Sequence, residues 1–79
     1  MNVILYTRSG CRLCDVANQT LVDHGLQPEK VDIDADQSLR EQFNTCVPVV
    51  QIDGKIRFRG QVDPRLLKRL LRSREGQQP

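Results

Sequence analysis

Thr7-Arg8-Ser9-Gly10-Cys11-Arg12-Leu13-Cys14 is the stretch whose reading decides the fold. Ahead of it runs Asn2–Tyr6, a short apolar segment containing Val3 and Ile4, long enough for a buried strand. Thr7 to Gly10 interrupt that segment with turn residues. From Cys11 to about His24 the spacing becomes helical. Leu13, Ala17 and Leu21 fall at i, i+4 and i+8, with Val16 and Thr20 beside them, and predict the apolar face. Gly25 suits the left-handed position that ends a helix, and Leu26 can pack back on the last turn. Two cysteines therefore stand where a strand gives way to a helix.

Beyond that unit, Pro28 opens an extended segment, and Lys30-Val31-Asp32-Ile33-Asp34 alternates polar and apolar as a half-buried strand does. Asp36 or Ser38 can cap a short helix over Gln37–Asn44, with Leu39 and Phe43 one turn apart. Val47–Ile52 reads as a third strand, Asp53-Gly54 as a tight hairpin turn, and Lys55–Arg59 as the return strand with Ile56 and Phe58 on one face. Asp63-Pro64 is a helix start, because Asp accepts from the first free amides and Pro suits the first helical position. Leu66, Leu67, Leu70 and Leu71 make the apolar stripe of that helix. The order is β-α-β-α-β-β-α. A parallel βαβ unit with a right-handed crossover, a hairpin and a closing helix give an α/β fold, with helices on both faces of a four-stranded mixed sheet. We expect one domain over residues 1–75 and a flexible tail over 76–79.

A chain of 79 residues holds one domain with a modest core. A hydrophobic share of 38% and a charged share of 28% argue against disorder. No run approaches the roughly 20 apolar residues of a membrane span. The first residues lack the basic region and long apolar stretch of a signal peptide, so the expectation is a cytoplasmic protein away from membranes. A net charge of +2 does not suggest nucleic acid. The charge is uneven, however. Acidic residues gather over 23–41 and basic ones over 55–74. These are solvated faces of ordinary elements or, alternatively, a patch that recognises acidic partners.

Three cysteines is an odd number, unlike a secreted disulfide scaffold, and Cys11-Arg12-Leu13-Cys14 in a cytosolic chain points to redox or metal chemistry. A thiol becomes nucleophilic when it ionises, and unpaired amides at a helix start favour the thiolate. Cys11 occupies that start, and Arg8, three residues earlier, can add positive charge. Cys14 lies one turn on and is expected to be covered. The asymmetry predicts a cycle in which Cys11 attacks a disulfide and Cys14 resolves the mixed disulfide. Zinc is the competing reading, but a four-coordinate site wants a second ligand pair. The remaining candidates are Cys46 and His24, and His24 lies at the far end of the first helix, about 15 Å from Cys14 by the helical rise. We therefore expect no metal site. Val47-Pro48 either simply opens the third strand or forms a cis peptide bond that sets a backbone edge beside the thiols, where a substrate pairs with Val47. Cys46 is either a small buried side chain or a third redox thiol near Cys11.

Taken together, Leu5-Tyr6-Thr7-Arg8, Cys11-Arg12-Leu13-Cys14-Asp15, Asp32-Ile33-Asp34, Val47-Pro48-Val49-Val50, Asp53-Gly54-Lys55 and Arg59-Gly60 resemble the glutaredoxin and thioredoxin-fold families from Val3 to about Leu71. The chain is most similar to glutaredoxin-like proteins whose active site reads like Cys-His-Leu-Cys-Asp. The resemblance implies a thioredoxin/glutaredoxin-like fold, a cis Pro48, and a redox-active disulfide of nucleophilic Cys11 and resolving Cys14. It also implies a glutathione site: Arg8 for a carboxylate, Val47 for the cysteinyl backbone, and Val62 and Asp63, after Gly60, for the γ-glutamyl end. Typical glutaredoxins carry two glycines, a small polar residue and paired aspartates there. Arg59-Gly60-Gln61-Val62-Asp63 lacks one glycine and one aspartate, Leu13 replaces an aromatic residue, and Arg12 replaces proline. Protein disulfides thus stand beside glutathione mixed disulfides as substrates. Reduced glutathione and a thioredoxin-reductase-type protein stand as reductants, with no tightly bound cofactor and a monomeric state expected. Two other classes remain open: a module holding an iron–sulfur cluster or metal through Cys11, and a redox-inactive adaptor using the basic last helix.

Overall fold

The computed structural model describes residues 2–44 and 46–76, with side chains through residue 72. The opening apolar segment forms β1 (Val3–Thr7), and the cysteine-bearing stretch leads into α1 (Arg12–Asp23). Then follow β2 (Glu29–Asp32), a 3-10 turn (Ile33–Ala35) and α2 (Gln37–Phe43). The chain closes with β3 (Val49–Ile52), β4 (Lys55–Arg59) and α3 (Pro64–Gly76). The sheet order is β2-β1-β3-β4. β1 runs parallel to β2 and antiparallel to β3, and β3 is antiparallel to β4. This is the four-stranded mixed sheet expected from the element order. Among the described residues no helix is long and apolar enough to cross a membrane.

Local chemistry explains the element ends. α1 stops in a Schellman motif: Gly25 (φ 81°) donates to the Val22 carbonyl, Leu26 donates to that of Leu21, and Leu26 packs on the core. Of the two candidate caps for α2, Asp36 serves, its carboxylate accepting from the Ser38 and Leu39 amides. Asp53 and Gly54 both have positive φ, 51° and 85°, the signature of the primed turn that matches the twist of a two-residue hairpin. Asp63 caps α3, its carboxylate accepting from the Arg65 amide at 2.9 Å.

Strand alternation divides the core in two. Val3 and Leu5 of β1, Val50 and Ile52 of β3 and Phe58 of β4 face Ala17 and Leu21 of α1 and Leu67 of α3. On the other face Ile33, Phe43 and Val49 form a second cluster, joined by Tyr6, Leu39 and Ile56. The Tyr6 and Phe43 rings meet there at 4.9 Å. α1 and α3 therefore cover one face and α2 the other.

The structure corrects several details. The buried face of α1 is Cys14, Ala17 and Leu21, while Leu13 and Val16 are 58% and 56% exposed. Leu13 sits about 100° around the helix from Cys14, so the stripe is turned by one residue. β2 ends at Asp32, because the chain then tightens into the 3-10 turn that buries Ile33. α2 ends at Phe43, and β3 begins at Val49, after the Val47–Pro48 step. Ile56 and Phe58 do not share a face. Val50 pairs with Phe58 but Gln51 with Ile56, so Arg57 is the extra residue of a β-bulge that reverses the alternation. In α3 Leu67 is buried and Leu70 and Leu71 pack on the core, but Leu66 remains half exposed. The expected tail falls on Gly76, the last residue of α3, and on 77–79, which lie outside the described residues.

Candidate active site

Parallel pairing of β1 with β2 puts both C-terminal strand ends at one edge of the molecule, with Thr7 opposite Asp32. The antiparallel register, with Tyr6 opposite Val49, brings the start of β3 to the same edge. The end of β4 arrives there too, since Arg59 pairs with Val49. The loop carrying Arg8 to Cys11 leaves β1 at this edge, and the segments on both sides of it come from elements far apart in sequence.

Cys11 is the N-cap residue of α1, with extended backbone (φ −88°, ψ 107°). Its amide donates to the Arg8 carbonyl at 3.2 Å, which holds the turn closed. Its sulfur accepts from the Cys14 amide at 3.1 Å, one of the helix-start amides that has no carbonyl partner within the helix. Cys11 and Cys14 form a disulfide, with Cα atoms 5.2 Å apart. Cys14 is only 2% exposed, whereas Cys11 is half buried. The covered position expected for Cys14 is the observed one. A half-buried cysteine at a helix N-terminus, bonded to a covered second one, is an arrangement that can exchange disulfides.

Arg8 lies beside this turn, but its guanidinium points to other partners. It makes a two-pronged contact with Asp34, Nε to Oδ2 at 2.9 Å and Nη2 to Oδ1 at 2.8 Å. It also donates to the Asn44 carbonyl at 3.1 Å and to Asn44 Oδ1 at 3.0 Å. The hydrogen bond to Asp34 is the main cause that raises the Arg8 pKa further, partly opposed by desolvation. The same bond holds the Asp34 carboxyl below the usual carboxylate range. Arg8 thereby ties the β1 exit to the 3-10 turn and to the end of α2. Its charge is matched by Asp34 before it reaches Cys11.

The remaining expected residues divide between backbone and core roles. The Val47–Pro48 peptide is cis. Pro48 is buried, Val47 is half buried against the second cluster, and among the described residues no backbone hydrogen bond engages Val47. The Gly60 amide braces this segment, donating to the Cys46 carbonyl at 3.0 Å and the Pro48 carbonyl at 2.7 Å. Cys46 lies outside the disulfide and packs half buried with Phe43 and Val49. The Val62 side chain belongs to the first core cluster, and the Asp63 carboxylate is turned to the first turn of α3. A groove of about 300 Å³ lies between α1 and the β4–α3 connection, lined by Leu13, Val16, Thr20, Gly60, Gln61 and Val62.

Asp34 and Asn44 are the site-edge residues the sequence reading passed over. A signal for Asp34 existed. Parallel pairing forces the residues after β2 against those after β1, and an acidic residue two past Asp32 is the natural partner of Arg8. Asn44 carries no such signal, because its approach depends on how α2 packs.

Relatives share this arrangement of elements. The family model described as Glutaredoxin-like domain (DUF836) matches residues 2–72. The solved structure of target protein XcR50 from X. campestris aligns at 28% identity and a TM-score of 0.78, covering 90% of this chain and 96% of that one. The glutaredoxin-like protein NrdH-redoxin from Escherichia coli aligns at 26% identity and a TM-score of 0.66, covering 89% and 95%. A glutaredoxin from Archaeoglobus fulgidus, at 23% identity and a TM-score of 0.65 over 90% and 86%, shares the fold. No curated protein matches in sequence. With almost its whole length inside the family model and a helix-start cysteine pair on a thioredoxin-type sheet, the chain belongs to the glutaredoxin-like family.

Proposed function

We propose that this protein is a thiol–disulfide oxidoreductase that reduces disulfides in protein substrates. The observation that carries the reading is the Cys11–Cys14 pair at the N-terminus of α1, with Cys11 the less buried of the two and Cys14 covered. In the reduced protein the Cys11 thiolate attacks one sulfur of the substrate disulfide. The substrate S–S bond breaks, a Cys11–substrate bond forms, and the departing substrate thiolate takes a proton from water. Cys14, deprotonated, then attacks the Cys11 sulfur and displaces the second substrate thiolate. Two electrons have passed to the substrate, and the Cys11–Cys14 disulfide remains for an external thiol or dithiol reductant to reopen. The Cys14 amide, already donating to the Cys11 sulfur, serves as the thiolate's local donor.

Three features support a protein substrate over glutathione. Arg8 and Asp63, the two charged residues that resemblance offers to glutathione, already have partners within the fold. Among the described residues no backbone hydrogen bond engages Val47 beside the cis proline, so an extended segment can add there as a strand. Exposed Leu13 and Val16 line an apolar groove that suits side chains flanking a target cysteine. NrdH-redoxin, glutaredoxin-like itself, has a thioredoxin-like activity profile, which favours the same choice.

The test is insulin reduction coupled either to a thioredoxin reductase or to glutathione and its reductase. We expect turnover with the thioredoxin reductase, none after Cys11→Ser, and a trapped mixed disulfide with Cys14→Ser. Turnover surviving Cys11→Ser defeats the mechanism, and turnover with glutathione alone replaces the proposed reductant.

A further inference from the structure

The surface between β4 and α3 carries a feature the redox reading does not use. β4 is an edge strand, and its bulge is centred on Arg57. In unbroken alternation Arg57 would point away from Phe58. With the bulge it lines the same cleft as Phe58, a hollow of about 340 Å³ closed on the other side by Leu66, Arg69 and Leu70 of α3. Edge bulges re-aim side chains in this way. A second groove continues from it along Arg59 and Gln61 toward the start of α3.

The cleft is apolar at its floor and positive at its rim. Phe58 is buried there, Leu70 is half buried, and Leu66 is 49% exposed. Arg57 and Arg59 stand on the strand, and Arg65, Lys68, Arg69 and Arg72 on the helix, all exposed. Among the described residues none of these six cations forms an ion pair; the pair that forms is Arg8–Asp34, beyond the ends of β1 and β2. One carboxylate, Asp63, lines the second groove, and it accepts from the Arg65 backbone amide. Like charges held across one cleft repel each other, and a bound anion removes that repulsion.

We propose that this cleft docks an acidic peptide segment of a partner protein, with one aliphatic side chain seated on Leu66 and Leu70 and flanking carboxylates on Arg57 and Arg69. A peptide fits better than a single-stranded nucleic acid, which proteins hold by stacking bases on exposed aromatic rings. The one ring in the cleft, Phe58, is buried in the core. The inference rests on the surface alone and holds whatever the thiols do.

The probe is a short fluorescein-labelled peptide of Glu and Asp around a single Leu. It is titrated by fluorescence polarisation against the full chain, and its contacts are mapped by amide shifts. Three further ligands are run: the same peptide with Leu→Ser, one with Gln for every acid, and a single-stranded oligonucleotide. We expect binding of the acidic Leu peptide, shifts centred on 57–59 and 65–70, and weakening by about tenfold or more for each altered peptide and for Arg57→Glu with Arg69→Glu. Arg57→Gln with Arg69→Gln weakens binding in the same direction, and the shift map needs no variant to fold. Shifts that fall elsewhere, equal binding of the Gln peptide or of the charge-reversed protein, or preference for the oligonucleotide would each overturn the proposal.

Discussion

Arg8 has five N–H donors in a rigid fork, and Asp34 and Asn44 accept four hydrogen bonds from it. That commitment makes Arg8 a clamp on the active-site edge. It also has a pH signature through Asp34, whose carboxyl is held below its ordinary value of 3.8 chiefly by the Arg8 hydrogen bond. Between the depressed and the ordinary value the unfolded chain binds more protons than the folded one. The stabilisation is therefore complete above the ordinary value and is lost as pH falls through the depressed one. The pair is exposed and its contribution is screened by water. We expect Asp34→Asn to be less stable than the parent at neutral pH, with the gap closing on acidification below about 4. Urea unfolding across a pH series measures this. A gap that stays constant through the acid range would mean that the variant's loss comes from packing and not from the carboxylate.

At the scale of elements, Asp63 separates helix capping from ligand binding. Its carboxylate accepts from the Arg65 amide, and its carbonyl accepts from Leu67 at 2.9 Å, so α3 begins from this residue. Asp63→Ala is expected to cost about 1 kcal/mol, whereas Asp63→Asn keeps an equivalent acceptor and costs little. Protein-disulfide turnover should be unchanged in Asp63→Asn. A raised KM for glutathione-containing substrates in that variant, at full stability, would instead give Asp63 the ligand role its family position implies. The cap itself was legible in Asp63-Pro64, as were Gly25, Asp53-Gly54 and the helix-start cysteines, because each rests on chemistry within a few residues. What escaped the sequence depended on distant contacts. The phase of the α1 stripe is set by packing on the sheet, which leaves Leu13, expected on the apolar face, exposed. The bulge at Arg57 adds one residue to a pattern that reads as regular alternation. Arg8 and Asp34 are 26 residues apart, so their pairing appears only once β1 and β2 are aligned.

The whole molecule is two clusters that share their strands. β1 sends Leu5 to the cluster under α1 and α3, and Tyr6 to the cluster under α2. β3 does the same with Val50 and Val49. Neither cluster can open without exposing one side of the two central strands, and a chain this short has little burial in reserve. Leu67 is fully buried and joins α3 to the first cluster, while Phe43 joins α2 to the second. Truncating either to Ala removes apolar contact and leaves a cavity, at a cost of about 2–5 kcal/mol. For a domain of this size each kcal/mol lowers Tm by roughly 4–8 °C. If the shared strands couple the clusters, Leu67→Ala and Phe43→Ala both shift one cooperative transition, with the denaturant slope unchanged. Hydrogen exchange should then lose protection in α1 even when the truncated side chain is Phe43, on the far face of the sheet. If Phe43→Ala instead unfolds α2 alone, a second transition appears and α1 keeps its parent protection. The Cys11 and Cys14 helix would then be held by the first cluster independently of the second.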